Sequence, residues 1–217
     1  NPTLHIFTDA CSPNMNYDWC VNCGGGGVDE EISIPTIVGQ NYGIRVQNVG
    51  TSNTLNESIC IWSSTEVQPS NDFICNAQKI SCGDTLNGTT IGASKIGYSE
   101  NDFCGGSNNP SGPYGNLHQR TNAVWYFVEG SGGMMEVSLC QTIPHWNSNI
   151  VVYEGDSCSS VTYIGGNSDG GPSCYFSNAA SFAWQTNDSS KYFIKVFGDH
   201  IVSNFNSQNS DFSISLS

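Results

Sequence analysis

The run Lys191-Tyr192-Phe193-Ile194-Lys195-Val196-Phe197-Gly198 decides the fold, because it reads as a strand and because the chain contains its pattern twice. Aromatic and β-branched residues in a short run closed by Gly favour an extended backbone. Shifted by 150 residues, Tyr192 falls on Tyr42, and Ile194-Lys195-Val196 falls on Ile44-Arg45-Val46. The same shift sets Phe182-Ala183-Trp184 on Ile32-Ser33-Ile34 and Thr186 on Thr36. Further upstream, Ile150-Val151-Val152-Tyr153…Cys158 matches Leu4-His5-Ile6-Phe7…Cys11, with one residue more in the later copy. Downstream, Phe212-Ser213-Ile214 matches Ile59-Cys60-Ile61 at a shift of 153. Four blocks in one order at nearly one offset make an internal repeat, and a repeat constrains architecture before any single element does.

The repeat divides the chain. Residues 1–66 correspond to the second half of a unit and residues 73–217 to a complete one. Residues 67–72 are the junction, where Pro69 and Asn71-Asp72 punctuate the sheets. Residue 1 is not Met and leads almost at once into a strand. The expectation is a segment of a longer tandem array, or a half-unit whose partner strands come from elsewhere.

No long stretch places apolar residues at helical spacing. Short strand runs recur instead: 3–7, 31–34, 42–46, 58–62, 123–128, 134–139, 150–153, 181–184, 192–197 and 212–216. Met135, Val137 and Leu139 share one face; so do Phe212, Ile214 and Leu216, with serines opposite. Trp125 and Trp184 alternate within such runs and are expected in the core. The fold expected is all-β: an antiparallel β-sandwich of jelly-roll type, one full unit plus the second half of a preceding unit.

Composition narrows the function. Six Lys+Arg against 19 Asp+Glu leave a formal charge of −13, so no cationic stripe exists to displace counterions from nucleic acid. No apolar run approaches the roughly 20 residues of a membrane-spanning helix. No basic stretch followed by an apolar run opens the sequence, so no signal peptide is expected within it. Aromatic residues at 11% and charged residues at only 12% argue against disorder. The polar surface is largely uncharged, with 24 Asn and 30 Ser.

Ten cysteines, an even number, read as a disulfide framework in an oxidising compartment: Cys11, Cys20, Cys23, Cys60, Cys75, Cys82, Cys104, Cys140, Cys158 and Cys174. Cys20-Val21-Asn22-Cys23 is a zinc-type spacing, but no second such pair follows it, and the four histidines are scattered. Cys158 with Cys174 is the preferred bridge, across a Gly-rich loop, with Cys11 to Cys20 or Cys23 as its counterpart in the first copy. Asn56-Glu57-Ser58, Asn87-Gly88-Thr89 and Asn187-Asp188-Ser189 are glycosylation sequons. Chance matches are frequent in so Asn- and Ser-rich a chain, but the cysteines shift the reading towards secretion.

No G-x-S-x-G elbow, HExxH or P-loop appears. Gly24 to Gly27 lacks the Lys and the helix of a phosphate cradle. Glu30 and Glu31 are adjacent, so on a strand they point to opposite faces. Trp62 and Trp146 suit stacking on pyranose rings, while Trp19 beside Cys20 is expected to pack on a disulfide.

From the junction onward, Asn71-Asp72-x-x-Cys75-x-Ala77 and Ile80-Ser81-Cys82-Gly83 resemble the opening of pre-peptidase C-terminal-like (PPC-like) domains. The resemblance continues through Cys104-Gly105, Val124 to Phe127, Met135 to Cys140, Ile150 to Cys158 and Lys191 to Gly198, and ends in the Phe212 strand. It implies a β-sandwich without catalysis of its own, found on secreted proteases and in tandem on large surface proteins. Where the family that it resembles often carries an acidic Asp-Thr before the Val-Tyr strand, this chain reads Asn147-Ser148-Asn149, and the Asn-Asp-Asp loop that follows reads Asn167-Ser168-Asp169. Asp156 and Asp169 remain as calcium candidates, against the six to eight oxygens that calcium takes. The expected function is a non-catalytic extracellular module, the glycosylated subunit of a fibre, filament or coat. Its expected partners are copies of itself or neighbouring repeats, through strand donation. A carbohydrate-binding or adhesion module, or the accessory domain of a secreted hydrolase, is the alternative.

Overall fold

The computed structural model describes residues 2–8, 19–21, 34, 36–48, 58–61, 63, 65–94, 122–143, 146–175, 178–198 and 209–217. The N-terminal part holds β1 (Pro2–Thr8), β2 (Trp19–Val21) and β3 (Tyr42–Asn48), in the spatial order β2-β1-β3 with antiparallel pairing. A 3-10 turn at Ile74–Asn76 follows. Among the described residues nine strands come after it: β4 (Gln78–Lys79), β5 (Thr85–Thr89), β6 (Ala123–Glu129), β7 (Met134–Ser138), β8 (Ser148–Ser157), β9 (Ser160–Asn167), β10 (Ser181–Gln185), β11 (Lys191–Gly198) and β12 (Asp211–Leu216).

These nine form a sandwich. One sheet runs β4-β6-β11-β8-β9 and the other β10-β7-β12-β5; only β4 with β6 is parallel among their pairings. Between the sheets lies the main core. Val124, Tyr126, Val128, Ile150, Val152, Ile194 and Val196 from the first sheet meet Met135, Val137, Trp184, Phe212, Ile214 and Leu216 from the second. Alternation explains this, since every second residue of β6, β8, β11 and β12 points inward.

The five-stranded sheet is apolar on its outer face as well. Trp125, Val151, Tyr153, Phe193 and Phe197 cluster there under Ile74 of the 3-10 turn. This accounts for the nearly unbroken apolar run of β11, whose residues are buried on both faces. A disulfide from Cys75 to Cys158 fastens the turn to the end of β8. A second, Cys140 to Cys174, joins the chain after β7 to the loop before β10.

Several expectations need correction here. Cys158 and Cys174 do not pair with each other, because each has a nearer partner on a neighbouring layer or strand. Cys60 and Cys82 are exposed free thiols. The segment 58–61 is not a strand, although its counterpart is β12. The end of the junction is part of the sandwich: Asn71 and Asp72 are buried, and Asn71 exchanges hydrogen bonds with the Trp125 backbone.

The N-terminal sheet repeats a pairing seen in the sandwich. Leu4, His5, Ile6 and Phe7 lie opposite Val46, Arg45, Ile44 and Gly43. Ile150, Val151, Val152 and Tyr153 lie opposite Val196, Lys195, Ile194 and Phe193. The spatial order β2-β1-β3 likewise mirrors β9-β8-β11.

Candidate functional site

A groove of about 690 Å³ opens on the β5–β12 side of the sandwich. Tyr126, Phe212 and Ile143 supply its apolar lining, and Asn71, Gln78, Asn87, Gln141 and Asp211 its polar lining. The local packing is aromatic. Tyr126 meets Phe212 edge-on at 6.3 Å between ring centroids, and Phe212 stacks on Trp146 at 5.4 Å. The buried Tyr126 hydroxyl is pushed up to about 12 by desolvation, with the neighbouring Asn71 offsetting part of the rise. The Asn71 side-chain amide donates to the Trp125 carbonyl at 3.0 Å, and among the described residues no group lies in hydrogen-bond geometry with Tyr126 Oη.

Gly88 makes this packing fit. A Cβ there would fall on Tyr126 Oη and the Phe212 ring. Gly88→Ala should therefore destabilise the fold by about 1–3 kcal/mol through overpacking, while leaving the sequon intact. A urea midpoint equal to that of the parent chain would contradict this.

The groove offers hydrogen bonds more than charge. Ser213 Oγ donates to Asn87 Oδ1 at 3.0 Å, and Thr142 Oγ1 accepts the Ser213 amide at 3.1 Å. Among the described residues its lining contains no His, Lys, Arg or Cys. A hydroxyl needs an adjacent base to become a nucleophile, and the lining supplies none beside its hydroxyls except Asp211. Amides and hydroxyls arranged this way suit a neutral, hydroxyl-rich ligand.

The residues singled out in the sequence are scattered. Asn87 lies on the edge strand β5 and Asn187 in the turn between β10 and β11, both exposed; Asn56 lies outside the described residues. Asn187 Nδ2 donates to Glu154 Oε1 at 3.2 Å. Trp146 is no sugar platform, because it is buried against Phe212 as part of the core. Trp62, Cys11, Cys23 and Cys104 lie outside the described residues; Cys20 sits in β2. Asp156 is near the β8–β9 turn, and Asp169 is past the far end of β9. At about 3.4 Å per residue they are roughly 25 Å apart, too far to share one cation. Among the described residues no group of three metal-ligating side chains converges.

A second constellation escaped the sequence reading. Lys195 is buried on the outer face of the five-stranded sheet, with its ammonium over the rings of Trp125 at 5.6 Å and Phe197 at 5.4 Å. Desolvation lowers it to about 8, and Asp72 partly restores it. Asp72 is itself raised by burial, against hydrogen bonds from Ser94 and Gln68 and the attraction of Lys195. Its Oδ1 accepts the Ser94 amide at 2.7 Å, and Gln68 donates to Oδ2. In sequence, Lys195 stands as a polar interruption inside an apolar run, which was the available signal.

No protein-family model matches the chain. No curated protein matches it. Among solved structures it is similar to the Aeromonas hydrophila protein PliG, a periplasmic lysozyme inhibitor of g-type lysozyme. Identity is 13%, over 65% of this chain and 96% of that one, with a TM-score of 0.35. A likeness at that level bears on neither mechanism nor partner. Among the described residues the chain forms an all-β sandwich with two disulfides, and no helix there is long and apolar enough to cross a membrane.

Proposed function

We propose that the chain is a non-catalytic extracellular structural module, a subunit of a surface fibre, filament or coat built from tandem β-sandwiches. The observation that carries this reading is the shared register. The first sheet pairs its strands residue for residue as β8 and β11 do, which fits a repeat used as a building unit. The resemblance to PPC-like domains supports it. Disulfides fit an oxidising location, and the exposed Asn87 and Asn187 would carry glycans on a surface with few charges.

The test is the native protein recovered from the extracellular fraction, imaged by electron microscopy and mapped by glycopeptide mass spectrometry. Regular polymers containing this chain, with hexosamine on Asn87 or Asn187, are expected. A monomeric intracellular pool without glycan would overturn the reading. The amide- and hydroxyl-lined groove favours saccharide binding as a second reading. That reading requires retention of neutral glycans that is lost in Gln141→Ala.

A further inference from the structure

We propose that the outer edge of β3 accepts an extended strand of the β6 kind, antiparallel, with the tryptophan of that strand opposite Arg45. The proposal rests on the tandem-module reading and names the strand that such a module takes up. In the sandwich, β11 is flanked by β8 on one side and β6 on the other. Across β6, Ile194 faces Tyr126, Lys195 faces Trp125 and Val196 faces Val124. β3 has the β8-type neighbour, β1, in the same register, but among the described residues it has no β6-type neighbour. An unpaired edge presents a row of backbone donors and acceptors to any strand that fits.

Side-chain exposure points the same way. Ile194 is 0% exposed, whereas its counterpart Ile44 is 43% exposed. Phe212 and Ile214 of β12 are 4% and 0% exposed, whereas Ile59 and Ile61 are 57% and 76% exposed. In the sandwich β12 lies between β5 and β7, which belong, like β6, to the first half of the unit. Among the described residues the apolar alternation at 59–61 therefore lacks the neighbours that bury it in the later copy.

The chemistry of the occupant follows from the pairs that exist. Its inward residues would be apolar, as Val124, Tyr126 and Val128 are. Its tryptophan would meet Arg45, which replaces Lys195, and a guanidinium stacks on an indole at least as well as an ammonium does. The β6 of a second copy is already paired on both sides, so the donor is a β6-type strand of another repeat that is not built into a sheet.

The probe is the peptide of residues 122–130, Asn-Ala-Val-Trp-Tyr-Phe-Val-Glu-Gly, added to the full chain. Amide hydrogen exchange across 42–48 should slow by about tenfold or more, and a peptide with Tyr126→Pro should have no effect. In a Cys60→Ser, Cys82→Ser background, Arg45→Cys should form a disulfide with a peptide carrying Trp125→Cys. Ile44→Cys and Val46→Cys should not, since a shift of one residue turns the side chain to the other face. Protection elsewhere, no protection, or cross-linking out of register overturns the proposal. If native polymers are found but the peptide fails, the edge proposal alone falls. If the peptide pairs in register while the native protein is monomeric, the fibre reading alone falls.

Discussion

Replacing Cys75 and Cys158 together by serine should lower the melting temperature by about 10–15 °C. The bridge closes a loop of 83 residues. On the chain-entropy account such a loop confers about 4.5 kcal/mol, and in a domain of this size each kcal/mol moves the midpoint by about 2–4 °C. The bridge also has a local task. It holds the 3-10 turn, and with it Ile74, on the outer apolar face of Trp125, Val151 and Phe193. Cutting Cys140–Cys174, a separation of 34 residues, should cost about 3.8 kcal/mol by the same account. Cys60→Ser and Cys82→Ser, at exposed free thiols, should leave the midpoint unchanged and serve as controls. Calorimetry on the four variants decides the matter. A Cys75→Ser, Cys158→Ser protein that melts with the parent would show that the turn is held by packing alone.

The strands that could be read from sequence are those with one buried face or two. Phe212, Ile214 and Leu216 alternate with serines, and β12 lies where that alternation places it. β11 reads through as apolar because both of its faces are covered. β5 and β9 were missed, and both are edge strands rich in Gly, Asn and Thr. An edge strand with an exposed face needs no apolar period, so its sequence looks like a loop. Conversely, 58–61 carries the alternation of β12 without becoming a strand, because a strand needs neighbours as well as a pattern.

The disulfides and the groove depended on topology. Cys75 meets Cys158 only because the 3-10 turn lies over β8, and no spacing rule reports that across 83 residues. The groove gathers Asn71, Asn87, Gln141 and Asp211 from four separate segments. Trp146 illustrates the limit most directly. A tryptophan among polar residues reads as a surface platform, but stacking on Phe212 makes it core.

Lys195 should make stability rise with alkaline pH. The unfolded lysine titrates near 10.4, and the folded one is pulled down to about 8 by desolvation. Between those values the unfolded chain holds more protons, so stability increases as pH rises through that window and is lost again as pH falls through the folded value. The full excursion is about 3 kcal/mol. Asp72, raised by burial, acts in the opposite sense at acid pH, where stability falls as pH rises through its folded value. Lys195→Met should therefore be neutral or stabilising at pH 7, and its advantage over the parent should shrink towards pH 10. Asp72→Ala should be destabilising by about 3–5 kcal/mol at pH 7, because it leaves a buried cation without its counter-charge. Part of that loss is the cap on the Ser94 amide, which pH does not restore. The double variant Asp72→Ala, Lys195→Met separates the two: it should recover the charge component and retain the cap component. Denaturant titrations of the four proteins at pH 7 and pH 10 measure both. A Lys195→Met protein that loses as much stability as Asp72→Ala would show that the ammonium is held by favourable contacts with Trp125 and Phe197 strong enough to outweigh its desolvation.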